Sequence, residues 1–341
     1  MKTVVVDRDF LELEIKPYAK LEEYRGLLAK EVKERLLSAG DLRSCSCPAC
    51  QSGTSRPAFE KWGLTYQECV HCNSVYVSPR PGEEALTDFY RNSSASHFWR
   101  EEILPETREA RREKMFRPRA QWLLNAVDRY SPKAQLGIAV GYHNELLIEE
   151  LTRQESHLFP IIVTNPIADV EFAGKDLPGV TICPTPLSGL ASLAPADILL
   201  AFDIVDRCAD VEALFDAARA TLAAGGLLLA STISISGFDL QVLWEHSKSI
   251  YPPERMNLLS IEGLTMLFER HRFEVLEFST PGMFDVEAVQ RAIGADPAIP
   301  CPRFVRYMME NRDENAMSDL QEYLQKHRLS SFVRIVLRKR Q

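Results

Sequence analysis

Ala196-Asp-Ile-Leu-Leu-Ala-Phe-Asp-Ile-Val-Asp206 and, after an intervening helical pattern, Leu222-Ala-Ala-Gly-Gly-Leu-Leu-Leu229 are the stretches that decide the fold. Ile198 to Phe202 is an apolar run of strand length. Val211, Leu214, Phe215, Ala218 and Leu222 then recur at helical spacing, and Gly225-Gly226 reads as the stop before a second apolar run, Leu227 to Ser231. Strand, amphipathic helix, glycine stop and strand in that order describe one unit of a parallel sheet wrapped by helices.

The same alternation extends in both directions. Leu136 to Val140, Pro160 to Thr164 and Val180 to Cys183 precede the unit, and Phe273 to Phe278 and Phe332 to Leu337 follow it. That makes seven expected strands in a doubly wound, Rossmann-like α/β domain over 131–341, with helical sequence at about 283–330 between the last two. Upstream, Tyr18, Leu21, Tyr24, Leu28, Val32 and Leu36 predict a helix within an N-terminal segment, 1–40. A charged stretch, 86–130, reads as a helical bridge. Its arginines, Arg108 to Arg119, are expected on a solvated face, with Glu109 and Glu113 paired to Arg112 and Arg117.

Between these helices, over 41–85, lie Cys47-Pro-Ala-Cys50 and Cys69-Val-His-Cys72. Two C-x2-C knuckles supply four thiolates for a tetrahedral zinc, and four such ligands leave no open position for catalysis, so the expected metal is structural. Gly53 and Asn73 are the residues expected to take positive φ after the knuckles. Cys45 leaves the register of the first knuckle open, and His71 is the weaker ligand candidate.

Composition is that of a soluble globular chain: 45% apolar, 26% charged, formal charge −8 over 341 residues. An acidic balance and a single ribbon offer no electrostatic footprint for nucleic acid. The uncharged stretch from Ala220 to Phe238 contains Ala-Ala-Gly-Gly and hydroxyl residues, which suit a turn and strand rather than a membrane span. Acids among the first dozen residues interrupt any secretory core, so a cytoplasmic chain is expected.

The Ala196–Asp206 and Leu222–Leu229 block resembles the strand-four to strand-five region of class I S-adenosylmethionine-dependent methyltransferases. Gly237 to Ser260, containing Tyr251-Pro-Pro-Glu-Arg-Met-Asn257, together with Glu274 to Gly282, is similar to a subgroup bearing an N-terminal zinc ribbon. The resemblance implies a seventh strand antiparallel beside the fifth and methyl transfer to a small acceptor, often a sugar or nucleotide-linked sugar. It also implies S-adenosylmethionine near Gly141, His143, Thr164, Phe202 and Asp203, with the acceptor near Tyr251, Arg255 and Asn257.

The chain departs from that pattern where chemistry is concentrated. Of Asp-x-Gly-x-Gly-x-Gly only Gly141 remains; Ala139, His143 and Glu145 replace the acid and two glycines. Thr164-Asn165 stands where an acid for the ribose hydroxyls is expected. Asp206-Arg207 replaces a Glu-His pair, and Arg255 replaces a histidine, removing groups able to act as a base near neutral pH. Two functions therefore stay open: an active methyltransferase, or a degenerate relative that binds ligands or pairs with an active paralogue. A homo-oligomer is the other partner expectation.

Overall fold

A computed structural model describes residues 5–6, 10, 12–38, 40–141, 144–154, 160–164, 177–193 and 195–340. Its centre is a seven-stranded sheet built from β6 (Gly137–Val140), β7 (Ile161–Thr164), β8 (Val180–Ile182), β9 (Ala196–Phe202), β10 (Leu222–Ile233), β12 (Phe273–Ser279) and β13 (Phe332–Lys339). The spatial order is β12-β13-β10-β9-β6-β7-β8. Strands β6 to β10 pair in parallel, and β13 runs antiparallel between β10 and β12. All seven expected strands are present.

The centre of the sheet is apolar on both faces because helices cover both. On one face the Val211–Thr221 and Ile261–Arg270 helices bury Leu214, Phe215, Leu264 and Phe268. On the other, the Arg117–Tyr130 and Glu145–Gln154 helices bury Leu123, Val127, Leu147 and Leu151. Asp210 and Ser260 cap the first two helices by accepting from Ala213 N and Gly263 N at 2.9 and 2.8 Å. One boundary differs from expectation. The Val211–Thr221 helix stops before the glycine pair, and Gly225, at φ 76°, lies in an irregularity of β10 between Leu222 and Leu227.

The N-terminal helix, Tyr18–Glu31, continues as a wider π-turn over Val32–Leu37. The ribbon follows: β1 (Leu42–Arg43) pairs with β5 (Arg80–Pro81), and β2 (Ser55–Lys61), β3 (Leu64–Cys69) and β4 (Val75–Val77) form its sheet. The edge of that sheet is closed by β11 (Asn257–Leu258), which comes from the large domain and pairs antiparallel with β4. Between β12 and β13, the helices Asp285–Ala295, Arg303–Asn311 and Glu314–Lys326 pack on one another around Val289, Ile293 and Leu324. No helix among the described residues is long and apolar enough to cross a membrane.

The bridge arginines depart from a simple solvated face. Arg112 pairs with Glu109 and Arg117 with Glu113 as expected, but Arg108 and Arg112 also reach Glu149 and Glu150 on the next helix. Arg119 is buried outright.

Candidate functional site

The two knuckles fold alike. Gln51 N donates to Cys47 O at 2.9 Å and Asn73 N to Cys69 O at 3.0 Å, while Cys47 N and Cys69 N donate to Ser52 O and Ser74 O, both at 2.9 Å. The residue after each second thiol takes the left-handed conformation: Gln51 at φ 62° and Asn73 at φ 57°. Asn73 meets expectation; in the first knuckle the role falls to Gln51, not Gly53. Cys47, Cys50, Cys69 and Cys72 offer four Sγ atoms, all within 4.8 Å of one another, and none is in a disulfide. Zn–S bonds of about 2.3 Å in a tetrahedron require sulfurs roughly 3.8 Å apart, so this set fits zinc. Cys45 stands outside it, its thiol 3.8 Å from Val77 O, and His71 is exposed.

Beyond the carboxyl ends of β9 and β10, a cleft of about 300 Å³ opens between Asp203, Ile233, Arg255 and the Pro281–Asp285 turn. Phe10, Glu12 and Lys16 form another wall, and Phe10 meets Phe284 edge-on at 5.6 Å. Val6 N donates to Gln325 Oε1 at 2.8 Å, and Gln325 Nε2 donates to Val6 O at 3.2 Å. A second hollow of about 210 Å³ shares Lys16, Asp203, Ile233, Ser249 and Arg255 with the first and is lined further by Tyr24, Trp99, Arg111 and Tyr251.

Asp203 directly follows β9 and takes φ 52°. Its carboxylate accepts from Arg119 Nη1 at 2.9 Å and from Ser231 Oγ at 2.7 Å. Burial alone would raise its pKa; Arg119, Arg255 and the Ser231 hydrogen bond outweigh it and hold the group at about 2. Phe202 is buried beneath it against Trp122. Gly141 sits at φ 120°, where a Cβ would meet Ile204 Cβ at 3.2 Å and Phe202 O at 3.4 Å. The Thr164 hydroxyl donates to Thr185 O at 3.4 Å. His143 and Asn165 lie outside the described residues. Glu145 opens its helix buried, and that burial, against the pull of Arg108 and Arg111, pushes its carboxyl up to about 7. Beside Val140, Thr185 and Ile204 the described residues leave a recess of only about 40 Å³.

The residues standing in place of the two histidines meet each other's neighbours. Arg255 Nη1 lies 2.5 Å from Asp206 Oδ2, and Arg207 Nη2 lies 2.9 Å from Glu254 Oε2; all four are largely buried. Tyr24 OH donates to Glu254 at 3.3 Å. Tyr251 lines the second hollow with the Arg25 and Arg255 guanidinium groups 5.9 and 5.7 Å from its ring. Asn257 is fully buried. Its Nδ2 donates to Val205 O and Cys208 O at 2.9 Å each, and its Oδ1 accepts from Arg80 at 2.7 Å. Arg255 therefore faces the cleft and Tyr251 the adjoining hollow, whereas the amide of Asn257 is spent on backbone and on Arg80.

Several cleft residues escaped the sequence reading: Arg119, Asp239, Asp285 and Arg334, with Phe10 and Lys16 from the N-terminal segment. A signal existed for Arg334 alone, a lone cation inside the apolar run of β13.

No known family profile and no curated protein matches the chain. Among solved structures, the plantazolicin methyltransferase BpumL in complex with S-adenosylhomocysteine is 10% identical, covering 76% of this chain and 95% of that one at a TM-score of 0.46. The 1,6-didemethyltoxoflavin-N1-methyltransferase of Burkholderia thailandensis is 10% identical, covering 84% and 100% at 0.46. The [4+2]-cyclase SpnF is 12% identical, covering 64% and 80% at 0.39. The assignment rests on strand order: counted along the chain the sheet reads 6-7-5-4-1-2-3, with only the seventh strand antiparallel. The fold is the class I methyltransferase fold. On that fold, the cleft lies at the carboxyl ends of the central strands, the end where open α/β sheets bind their ligands.

Proposed function

We propose that the chain transfers a methyl group from S-adenosylmethionine to a small acceptor, a sugar or nucleotide-linked sugar, held in the cleft beside Asp203. The cleft itself carries this reading: about 300 Å³ at the carboxyl ends of β9 and β10, within the size range of small-ligand sites. Gly141, His143, Thr164, Phe202 and Asp203 would hold the donor, whose sulfonium supplies the methyl group. Gly141 and Asp203 fit a ligand laid across the ends of β6 and β9. Tyr251 and Arg255 would line the acceptor. Arg207 and Arg255 are committed to ion pairs and stay protonated, so the residues would act by binding and orienting the acceptor, which can by itself supply much of a rate enhancement. Cys47, Cys50, Cys69 and Cys72 would hold zinc as scaffold, in a cytoplasmic protein.

One observation favours a second reading, a non-catalytic protein that keeps the fold for ligand binding or for pairing with an active paralogue. At the donor site Ala139, His143, Glu145 and Thr164 stand where acids and glycines are expected. Calorimetry with S-adenosylhomocysteine separates the two. Binding in the micromolar range, about −8 kcal/mol, is the outcome expected of the enzyme. Absence of heat from folded, zinc-loaded protein would sink methyl transfer and leave the second reading.

A further inference from the structure

The acids of the cleft are almost all spoken for. Glu12 is bonded to Lys16, Tyr18 and Arg291. Asp203 takes Arg119 and Ser231. Asp285 accepts four hydrogen bonds: Ser330 Oγ at 2.6 Å and Gln321 Nε2 at 2.8 Å on one oxygen, Ser331 N at 2.7 Å and Ser331 Oγ at 3.0 Å on the other. Asp239 is buried nearby, and burial together with the charge of Asp285 pushes its carboxyl well above the usual range. The cations follow the same pattern. Arg255 has Asp206, Lys16 has Glu12, and Lys114 is partnered.

Arg334 is the exception. Among the described residues no carboxylate or carbonyl meets its guanidinium, and its Nε is sealed from water without an acceptor. Its guanidinium lies 5.4 Å from the Trp122 ring and 5.7 Å from Phe332. Arg119 sits 5.4 Å from the same Phe332 ring. Burial and the charge of Arg119 lower the Arg334 pKa to about 10, which still leaves it charged at neutral pH. Two guanidinium groups thus flank one ring, and only Arg119 has a carboxylate, Asp203. Arg334 is half-buried on the wall of the cleft without a carboxylate partner, and a planar guanidinium is shaped for two oxygens of a carboxylate or phosphate.

We propose that Arg334, with Arg119 beside it, seats an anionic oxygen group, a carboxylate or a phosphate, of the molecule that occupies the cleft. This rests on the cleft being a ligand site but not on methyl transfer. Calorimetry on the full, zinc-loaded chain tests it with inorganic phosphate in one arm and acetate in the other, for wild type, Arg334→Gln and Arg334→Lys. Wild type is expected to bind at least one probe saturably, phosphate alone marking a phosphorylated ligand and acetate alone a carboxylate. Arg334→Gln should weaken that binding roughly tenfold or more, with Arg334→Lys between. Without anion, the melting temperature of Arg334→Gln should stay close to that of wild type, because the change removes a half-buried charge that has no carboxylate partner. Saturable heat from neither probe, undiminished binding by Arg334→Gln, or a variant that melts several degrees lower or fails to fold would each overturn the proposal. The last two outcomes would mark Arg334 as a packing cation held by its rings. Anion binding without S-adenosylhomocysteine binding would uphold this site while removing the methyltransferase.

Discussion

Asp203 holds a left-handed backbone conformation that costs most side chains energy but that aspartate tolerates, and its carboxylate carries two strong hydrogen bonds. Its folded pKa, about 2, is depressed below an unfolded value near 3.9. A depressed carboxylate contributes stability that is present above the unfolded value and lost as pH falls toward the folded one. Acid unfolding should therefore draw on Asp203 between about pH 4 and pH 2. In Asp203→Asn the slope of stability against pH in that window should flatten, as measured by urea denaturation at stepped pH; an unchanged slope would show that Arg119 does not hold this charge. The residue was legible in sequence as the acid ending a strand, but its partners were not, since Arg119 and Ser231 lie 84 and 28 residues away.

At the scale of elements, the end of β9 and the 251–258 segment are joined by two crossed ion pairs, Asp206 with Arg255 and Arg207 with Glu254. In sequence these positions read as two separate losses of a histidine; in the fold they form one compensated set. Removing one member leaves its partner buried and charged. Arg207→Met should cost about 3–5 kcal/mol in urea denaturation, and the double variant Arg207→Met, Glu254→Gln should recover most of that loss. If the double variant is no better than the single, Arg207 and Glu254 are not a coupled pair. The same segment continues into β11, which closes the ribbon sheet, a pairing that two short residues could not announce.

In the whole molecule the ribbon is not a separate unit. Cys47, Cys69 and Cys72 belong to the same buried cluster as Ile138, Leu199 and Phe268 of the large domain, and Arg270 donates to Ala49 O from across the interface. Metal removal should consequently reach beyond the knuckles. Chelation, or Cys72→Ser, is expected to lower the metal content well below one zinc per chain and to shift the main thermal transition downward; loss of metal with the main transition unmoved would show an independently folding ribbon.

The sequence by itself determined the seven strands and the four thiols, because both are written locally. Strands are runs of apolar residues between helical patterns, and a knuckle needs only its own two cysteines and the turn between them. Even there, which residue takes positive φ, Gln51 rather than Gly53, depended on the hydrogen bonds the turn makes. Tertiary structure alone decided the cleft. Its walls come from residues near 10, 119, 203, 255, 285 and 334, and whether an arginine is paired or left facing a ligand depends on which distant acids the fold brings beside it. Arg255 found Asp206 and became part of the scaffold; Arg334 found only aromatic rings and a second guanidinium.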